Sequence, residues 1–184
     1  MSDLVLGSTT VLSDSSGTPT IQSGVAFPAG HIVSSDFGVR ANTSDIGHSS
    51  TSFLEAHEDL RVAITPTSPN KIFIMMIGGH PRSYVSRSMY CSFGIITGAT
   101  NVHTGGSLTT ANLAASYGCE EIQGDDGHHP GGHSYGFLYT PSSYGSEIVF
   151  TPTYKSTGSG STVYFTEGAT NAQYLMCTAF EIQQ

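Results

Sequence analysis

Residues 60–77 constrain the fold of this chain more than any other segment. LRVAIT (60–65) alternates apolar side chains with others, which is the periodicity of a strand with one buried face. PTSPN (66–70) carries two prolines and predicts a turn. KIFIMMI (71–77) is apolar on both faces, which is typical of a central, buried strand. These residues therefore predict neighbouring β-strands.

Similar strand patterns recur along the rest of the chain. They are HIVSSDFGVR, MYCSFGIIT, HSYGFLYT, SEIVFTPTYKS, TVYF and QYLMCTAFEIQ. The last is apolar on both sides, so we expect it in the middle of a sheet, because at an edge it would promote aggregation. One segment, 109–118, fits a helix with Thr110 as N-cap and Gly118 after its end, and fits a loop equally well.

The composition agrees with a β fold. Charged residues are 11% of the 184, against a usual level of about 25%, and there are 22 glycines. Strong helix formers are scarce, whereas β-branched and turn-forming residues are abundant. We predict an all-β protein: a two-sheet antiparallel β-sandwich of jelly-roll type with an extended N-terminal arm. The predicted core is Val62, Ile64, Ile72, Ile74, Met76, Phe93, Ile148, Phe150, Leu175 and Phe180.

The chain divides into an N-terminal arm, residues 1–28, and a sandwich domain, residues 29–184. The arm has small apolar groups interrupted by Ser, Gly and Pro, too short to form a core. They are long enough to add strands to a neighbouring sheet. A partly disordered tail is the alternative interpretation.

Charge excludes two classes of partner. The net charge is −8, and the six basic residues are scattered, so no cluster neutralises a row of phosphates. We therefore expect no nucleic-acid binding and no attraction to anionic membranes. The longest apolar run, IFIMMI, is too short to cross a bilayer, and the N-terminus lacks signal-peptide features.

The three cysteines form no metal-binding pair. Cys91, Cys119 and Cys177 are far apart, without a Cys-x-x-Cys spacing. Cys91 and Cys177 lie in strand-like runs, which predicts buried free thiols in a protein made in a reducing cytosol.

The segment GDDGHHPGGHSYGF (124–137) is the most suggestive of chemistry. It contains Gly-x-Ser-x-Gly around Ser134, but a polar Gly-rich stretch precedes that serine and a strand pattern follows it. This order is the reverse of a hydrolase nucleophile turn. A metal site would need the Asp and His side chains to converge, and Pro130 with two glycines prevents the helix that would align His129 with His133. We predict no catalytic residue, no metal and no cofactor.

The same segment, with two other loops, is a candidate recognition surface. We expect residues 80–88, 98–106 and 123–135 to face outward and to form a binding surface, because Tyr with Ser, Gly and Asn is typical of adaptable recognition surfaces. The same composition is equally ordinary for sheet edges and subunit interfaces. The candidate binding residues are His80, Arg82, Tyr84, His103, Asp125, Asp126, His128, His129, His133 and Tyr135.

Residues 28–184 resemble a family of small β-sandwich virion proteins of tailed bacteriophages, especially marine ones. The resemblance is carried by FPAGHIVSS, LRVAITPTSPNKIFIMMIGG, GSEIVFTPTYKSTGSGSTVYF and the ending LMCTAFEIQQ. It implies a non-enzymatic tail-fibre or capsid-decoration protein, assembled in the host cytoplasm and displayed on the virion. It also implies a homotrimer in contact with other virion proteins. The loops between 80 and 133 depart from the pattern, so no functional residue is carried over.

Two alternatives remain open at this point. One is a soluble, lectin-like glycan-binding module unrelated to virions. The other is a hydrolase that uses Ser134 or the acidic residues near Asp126.

Overall fold

The computed structural model describes most of the chain as β-structure. The described residues are 4–6, 9–13, 20–21, 28–42, 45–78, 82–83, 89–101, 104–110, 113, 133–160, 162–166 and 173–184. Their strands are β1 (Leu4–Leu6), β2 (Thr9–Ser13), β3 (Thr20–Ile21), β4 (Ile32–Asn42), β5 (Ile46–His48), β6 (Leu54–Glu55), β7 (Val62–Ile64), β8 (Lys71–Gly78), β9 (Arg82–Ser83), β10 (Met89–Asn101), β11 (Thr104–Thr110), β12 (His133–Tyr139), β13 (Ile148–Ser156), β14 (Val163–Thr166) and β15 (Gln173–Ile182). A 3₁₀ turn at Glu58–Leu60 is the one helical element within these ranges.

Two antiparallel sheets form the body of the protein. Sheet I has the strand order β12-β8-β15-β4. Sheet II has the order β11-β10-β13, and β6 and β7 both pair with the far edge of β13. The predictions that β8 and β15 are central strands are therefore confirmed, because each has a partner on both sides.

Smaller sheets accompany these two. Strands β5, β14 and β9 form one of them, and β1, β2 and β3 form another near the N-terminus. Within the described ranges, β1–β3 pair only with one another, and Leu4 and Val5 are about half exposed. The role of residues 1–28 as an attachment arm stays a prediction.

The inward faces of sheets I and II enclose one core. The Phe93 ring of sheet II lies 4.9 Å from the Tyr135 ring of sheet I, and Tyr139 lies 5.3 Å from Phe150. The predicted β-sandwich is confirmed. Eight of the predicted core residues are fully buried, and they are Val62, Ile64, Ile72, Ile74, Met76, Phe93, Phe150 and Leu175.

The prediction that Phe180 belongs to the core is wrong. Side chains alternate along a strand, and in β15 it is Leu175, Cys177 and Ala179 that are buried. Phe180 therefore lies on the opposite, outer face of sheet I. Ile148 packs against the core but is only half-buried.

The main strands pair in a nested order. Strand β4 pairs with β15, β7 with β13, β8 with β12, and β10 with β11. The first main strand thus pairs with the last, and each later pair lies inside the previous one along the chain. This nesting is what brings the C-terminal strand between β4 and β8.

Two local predictions have definite outcomes. Cys91 and Cys177 are buried free thiols, as predicted, while Cys119 lies outside the described residues. Thr110, the candidate helix N-cap, is the last residue of β11 and pairs with Ile95. The rest of the candidate helix, apart from Leu113, lies outside the described residues.

Candidate functional site

Most of the predicted recognition residues lie outside the part of the chain that the structure describes. These are His80, Tyr84, His103, Asp125, Asp126, His128 and His129. Two others are placed through their backbones, since Arg82 in β9 pairs with Tyr164 and His133 in β12 pairs with Gly78. The predictions for the seven residues outside the described part are therefore neither supported nor contradicted by the structure.

Tyr135 is placed differently from the prediction. It lies in strand β12 rather than in an outward loop, and its ring packs against Phe93 on the core side of sheet I. Its hydroxyl donates to the Ser92 carbonyl at 3.3 Å. Alternation along β12 is the reason, because Tyr135, Phe137 and Tyr139 all face inward.

Part of the predicted 98–106 loop lies in strands. Residues 98–101 and 104–106 are strand residues at the end of β10 and the start of β11. Phe93 lies opposite Tyr135 and Ile95 pairs with Phe150, so β10 runs away from the Gly78–His133 end of the sandwich. The end of β10 and the start of β11 therefore lie at the other end of the sandwich from Gly78 and His133.

Ser134 lies in a regular strand. It is exposed, and it pairs with Ile77 across β12 and β8. The sharp strand-to-helix turn that exposes a hydrolase nucleophile is therefore not its local geometry. Among the residues described, no three His, Cys, Asp or Glu side chains are grouped to hold a metal ion. None of the helical residues described here forms a segment long and apolar enough to span a membrane.

Glu181 is a fully buried carboxylate on the core side of β15. Its Oε1 accepts hydrogen bonds from the Thr67 backbone N–H at 2.9 Å, the Thr67 hydroxyl at 3.0 Å and the Asn70 amide at 2.8 Å. Its Oε2 has no partner among the described residues. The three donors belong to the PTSPN turn, so Glu181 fixes the β7–β8 connection to the C-terminal strand.

Arg40 is a second buried ionic side chain, and two of its nitrogen atoms lack a hydrogen-bond partner among the described residues. It is 5% exposed, and its Nε and Nη1 atoms have no partner in the described part of the chain. Burial lowers the pKa of Arg40, and the carboxylates of Asp59 and Glu58 act in the opposite direction. Those two acids make the surroundings unfavourable for a bound anion, so Arg40 does not define an anion site.

The outer face of sheet I is the most unusual surface of the molecule. Strand register sets its side chains in three rows of four, one from each of β12, β8, β15 and β4. The rows are Ser134–Ile77–Met176–Val39, Gly136–Met75–Thr178–Phe37 and Leu138–Phe73–Phe180–Ser35. Eight of the twelve positions are apolar and none is charged. We call these twelve residues the outer face of sheet I.

This face is open to solvent. Phe37 is 69% exposed, Leu138 52%, Val39 44% and Ile77 37%, and the adjoining Tyr174 is 67% exposed. Folding normally leaves polar residues on a solvent-facing side of an antiparallel sheet. An exposed contiguous apolar patch of this kind marks an interaction site.

The outer face of sheet II has the opposite character. Its Ser92, Thr151 and Thr153 are polar, yet all three are fully buried. Glu55 lies over this face, accepting from Thr151 at 2.9 Å and holding Arg61 through bonds of 2.7 Å and 2.8 Å. The chain thus covers the outer face of sheet II, polar residues included, with its own residues and leaves the apolar outer face of sheet I bare.

The candidate functional site is therefore the outer face of sheet I, which sequence reasoning missed. The signal was present, because KIFIMMI and QYLMCTAFEIQ are apolar on both sides. That pattern was interpreted as burial on both faces within the sandwich. A scan against protein-family models finds no match for this chain, and a search of curated proteins finds none either.

Proposed function

We propose that this chain is a non-enzymatic structural protein of a bacteriophage particle, displayed on its surface as a tail fibre or capsid decoration protein. The observation that carries this proposal is the uncharged, exposed outer face of sheet I. A surface of this kind suits permanent assembly with other protein subunits better than catalysis or free diffusion. The resemblance of residues 28–184 to phage virion proteins supports the same role.

We infer a jelly-roll topology from the nested pairing of the main strands. A jelly roll places eight strands in two sheets that follow two Greek keys. Here β4, β7, β8, β10, β11, β12, β13 and β15 supply the eight strands. Viral capsid domains and lectins both use this topology, so the strand order is compatible with the virion protein and with the glycan-binding alternative.

The hydrolase alternative receives less support. Its nucleophile candidate, Ser134, sits within strand β12, paired with Ile77 and flanked by the inward-facing Tyr135. A nucleophile needs an adjacent base within hydrogen-bond reach. Among the described side chains, no base is hydrogen-bonded to the Ser134 hydroxyl, which lies on the apolar outer face of sheet I.

In the proposed role, residues 1–28 attach the protein to the particle. Strands β1–β3 form a small sheet of their own, with Leu4 and Val5 about half exposed for contact with a neighbour. The predicted outward loops would then face the host, where a receptor or glycan would bind. Full-chain variants with Leu4→Asp and Val5→Asp are expected to incorporate less well into particles than the wild type.

The location of the protein tests this proposal. Particles purified by density gradient from the phage-bearing culture would be probed with antibody against the full chain and examined by immunogold electron microscopy. The proposal predicts that the chain sediments with particles and that gold labels their surface. A chain confined to the soluble fraction contradicts it, and saturable binding on a glycan array by such a soluble chain would favour the lectin-like module.

A further inference from the structure

We propose that the outer face of sheet I is covered by the same face of a second copy of this chain. This inference rests on the proposed assembly role and adds the contact surface and the partner. The contact is isologous, so it closes with two copies. It therefore yields a two-fold dimer in place of the homotrimer that the family resemblance implies.

The outer face of sheet I carries no charge, and this favours an uncharged partner surface. An uncharged face gains nothing from an acidic or basic partner surface and is complementary to another uncharged face. The chain as a whole carries −8, yet none of its acidic residues occupies the three rows. Two copies that meet through this face therefore keep their acidic groups outside the contact.

The described residues offer one large exposed apolar surface for a contact between copies, which is the outer face of sheet I. A head-to-tail contact between copies needs a second large apolar surface. On the described residues, the outer face of sheet II is already covered by the chain itself, since Glu55 and Arg61 lie over Thr151 and the apolar Ile96 and Val149 of that face are buried. Leu108 lies over Gly94 on the same face, where an added Cβ would be 2.7 Å from Leu108 Cδ1. The outer face of sheet I is thus left to pair with itself.

The protein's own N-terminal strands do not take this position. Leu4 and Val5 of β1 are about half exposed, and Phe37 and Tyr174 remain about two-thirds exposed. If β1 were packed on the outer face, both sets of side chains would be buried. The described part of the chain therefore leaves the face to a partner molecule.

The size and shape of the face fit a dimer contact. Four strands spaced about 4.8 Å apart carry three rows spaced about 6.7 Å apart, which gives a face of about 20 Å by 19 Å, or roughly 400 Å² in plan, and the adjoining Tyr174 adds exposed area beside it. A standard interface buries about 800 Å² of accessible surface per partner, and a rough side-chain surface exceeds its plan area. Two twisted sheets stack face to face about 10 Å apart, as they do inside a sandwich.

Two polar groups in and beside the face have partners within their own chain. The Thr178 hydroxyl donates to the Asp36 carbonyl at 3.1 Å, so it is satisfied within its own chain. Lys71 borders the rows at one end, and its Nζ donates to the Thr140 hydroxyl at 2.6 Å. Docking therefore buries side chains whose desolvation is favourable.

The test is the mass of the full chain in solution, measured by sedimentation equilibrium from about 1 to 100 µM, which brackets a micromolar dissociation constant. Phe37→Lys and Tyr174→Lys each place a charge in or beside the contact. Tyr144→Lys is the matched control, because Tyr144 is 47% exposed and lies outside the three rows, beside Gly145, whose N–H donates to the Pro66 carbonyl. Thermal unfolding of each variant reports that it is folded, and Tyr174→Lys replaces Phe37→Lys if the latter fails to fold.

We expect a two-copy species for the wild type and for Tyr144→Lys, and dissociation constants at least about thirtyfold larger for the two face variants. A wild-type monomer at the highest concentration overturns the inference, as does a mass of three copies. A dimer unaffected by both face variants also overturns it. Each of these failures leaves the particle-labelling result of the proposed function unchanged, so the two ideas fail separately.

Discussion

Phe37 and Thr178 lie directly opposite each other on neighbouring strands β4 and β15, and their exposure to solvent is the reverse of what their polarity would predict. Thr178, the polar residue, is buried, and its hydroxyl bonds back to the Asp36 carbonyl. Phe37, the apolar residue, projects into solvent with 69% of its surface exposed. In this pair, sheet I exposes an apolar side chain to solvent while the neighbouring polar side chain forms its hydrogen bond within the chain.

Glu181→Ala is expected to destabilise the fold by about 2–4 kcal/mol, because it leaves the buried Asn70 amide and the Thr67 N–H without their acceptor. Glu181→Gln keeps an acceptor oxygen, so we expect a loss of only about 1 kcal/mol. Urea unfolding of both variants measures the difference. Equal losses for the two would mean that the three hydrogen bonds to Oε1 do not hold the β7–β8 turn.

We expect the folded protein to lose stability through His48 as the pH drops below about 6.5, which is the ordinary pKa of histidine. Burial lowers the pKa of His48, although a hydrogen bond to the Tyr154 carbonyl acts in the opposite direction. The unfolded chain therefore takes up a proton first, and the folded state loses stability as the pH falls toward the lowered pKa. The geometry agrees, because Nδ1 accepts from the Ser50 N–H at 3.1 Å and protonation would remove that acceptor.

The free energy of unfolding as a function of pH, compared between the wild type and His48→Gln, measures this effect. The glutamine variant should show a shallower decline between pH 6.5 and 5. An identical pH slope in both proteins would show that other groups control acid sensitivity.

Gly38→Ala is expected to cost about 1–3 kcal/mol through overpacking. An added Cβ would lie 2.6 Å from the Asp59 carbonyl oxygen and 2.8 Å from that of Arg61, so backbone would have to move. Gly136→Ala is the matched comparison, since its nearest contact is the end of the Phe73 side chain at 2.8 Å, which can rotate. Thermal melts should place the midpoint of Gly38→Ala below that of Gly136→Ala, and the reverse order would contradict the close packing of the Glu58–Leu60 turn on β4.

Cys91 and Cys177 are expected to resist thiol reagents in the folded protein. Both are buried, and burial raises the pKa of Cys177, which suppresses the reactive thiolate. Ellman's reagent applied to the Cys119→Ser variant isolates these two thiols. Both should react on unfolding, and rapid labelling of either under native conditions would contradict their burial.

The sequence was sufficient to predict seven of the eight main strands and the positions of the central ones, but not β11, whose residues were expected in a loop or a helix. KIFIMMI and QYLMCTAFEIQ were expected to be central, and β8 and β15 are. Their facing was not predictable, because both faces of each strand are apolar and alternation gives no phase. This is why Phe180 was expected in the core although its neighbour Ala179 occupies it.

The candidate site was less predictable than the fold. The segment around Ser134 was singled out because it contains His, Asp and Ser side chains, which are common in active sites. The outer face of sheet I is made of common apolar residues from four separate strands. Its rows exist only through the pairing of residues far apart in sequence, such as Ile77 with Met176. Tyr135 was likewise expected to face outward, although the strand pattern HSYGFLYT contains it, and its ring packs against the core.

Methionine oxidation of the wild-type chain at several concentrations tests the central claim most directly. Met75 and Met176 lie on the outer face of sheet I and are only half-buried in the single chain, whereas Met76 and Met89 are fully buried in the core and serve as internal controls. Brief peroxide treatment followed by peptide mass spectrometry reports the oxidation of each residue. We predict that Met75 and Met176 are protected at high concentration and become oxidised on dilution, while Met76 and Met89 stay protected. Equal oxidation of Met75 and Met176 at every concentration would show that this face remains bare and would contradict the account.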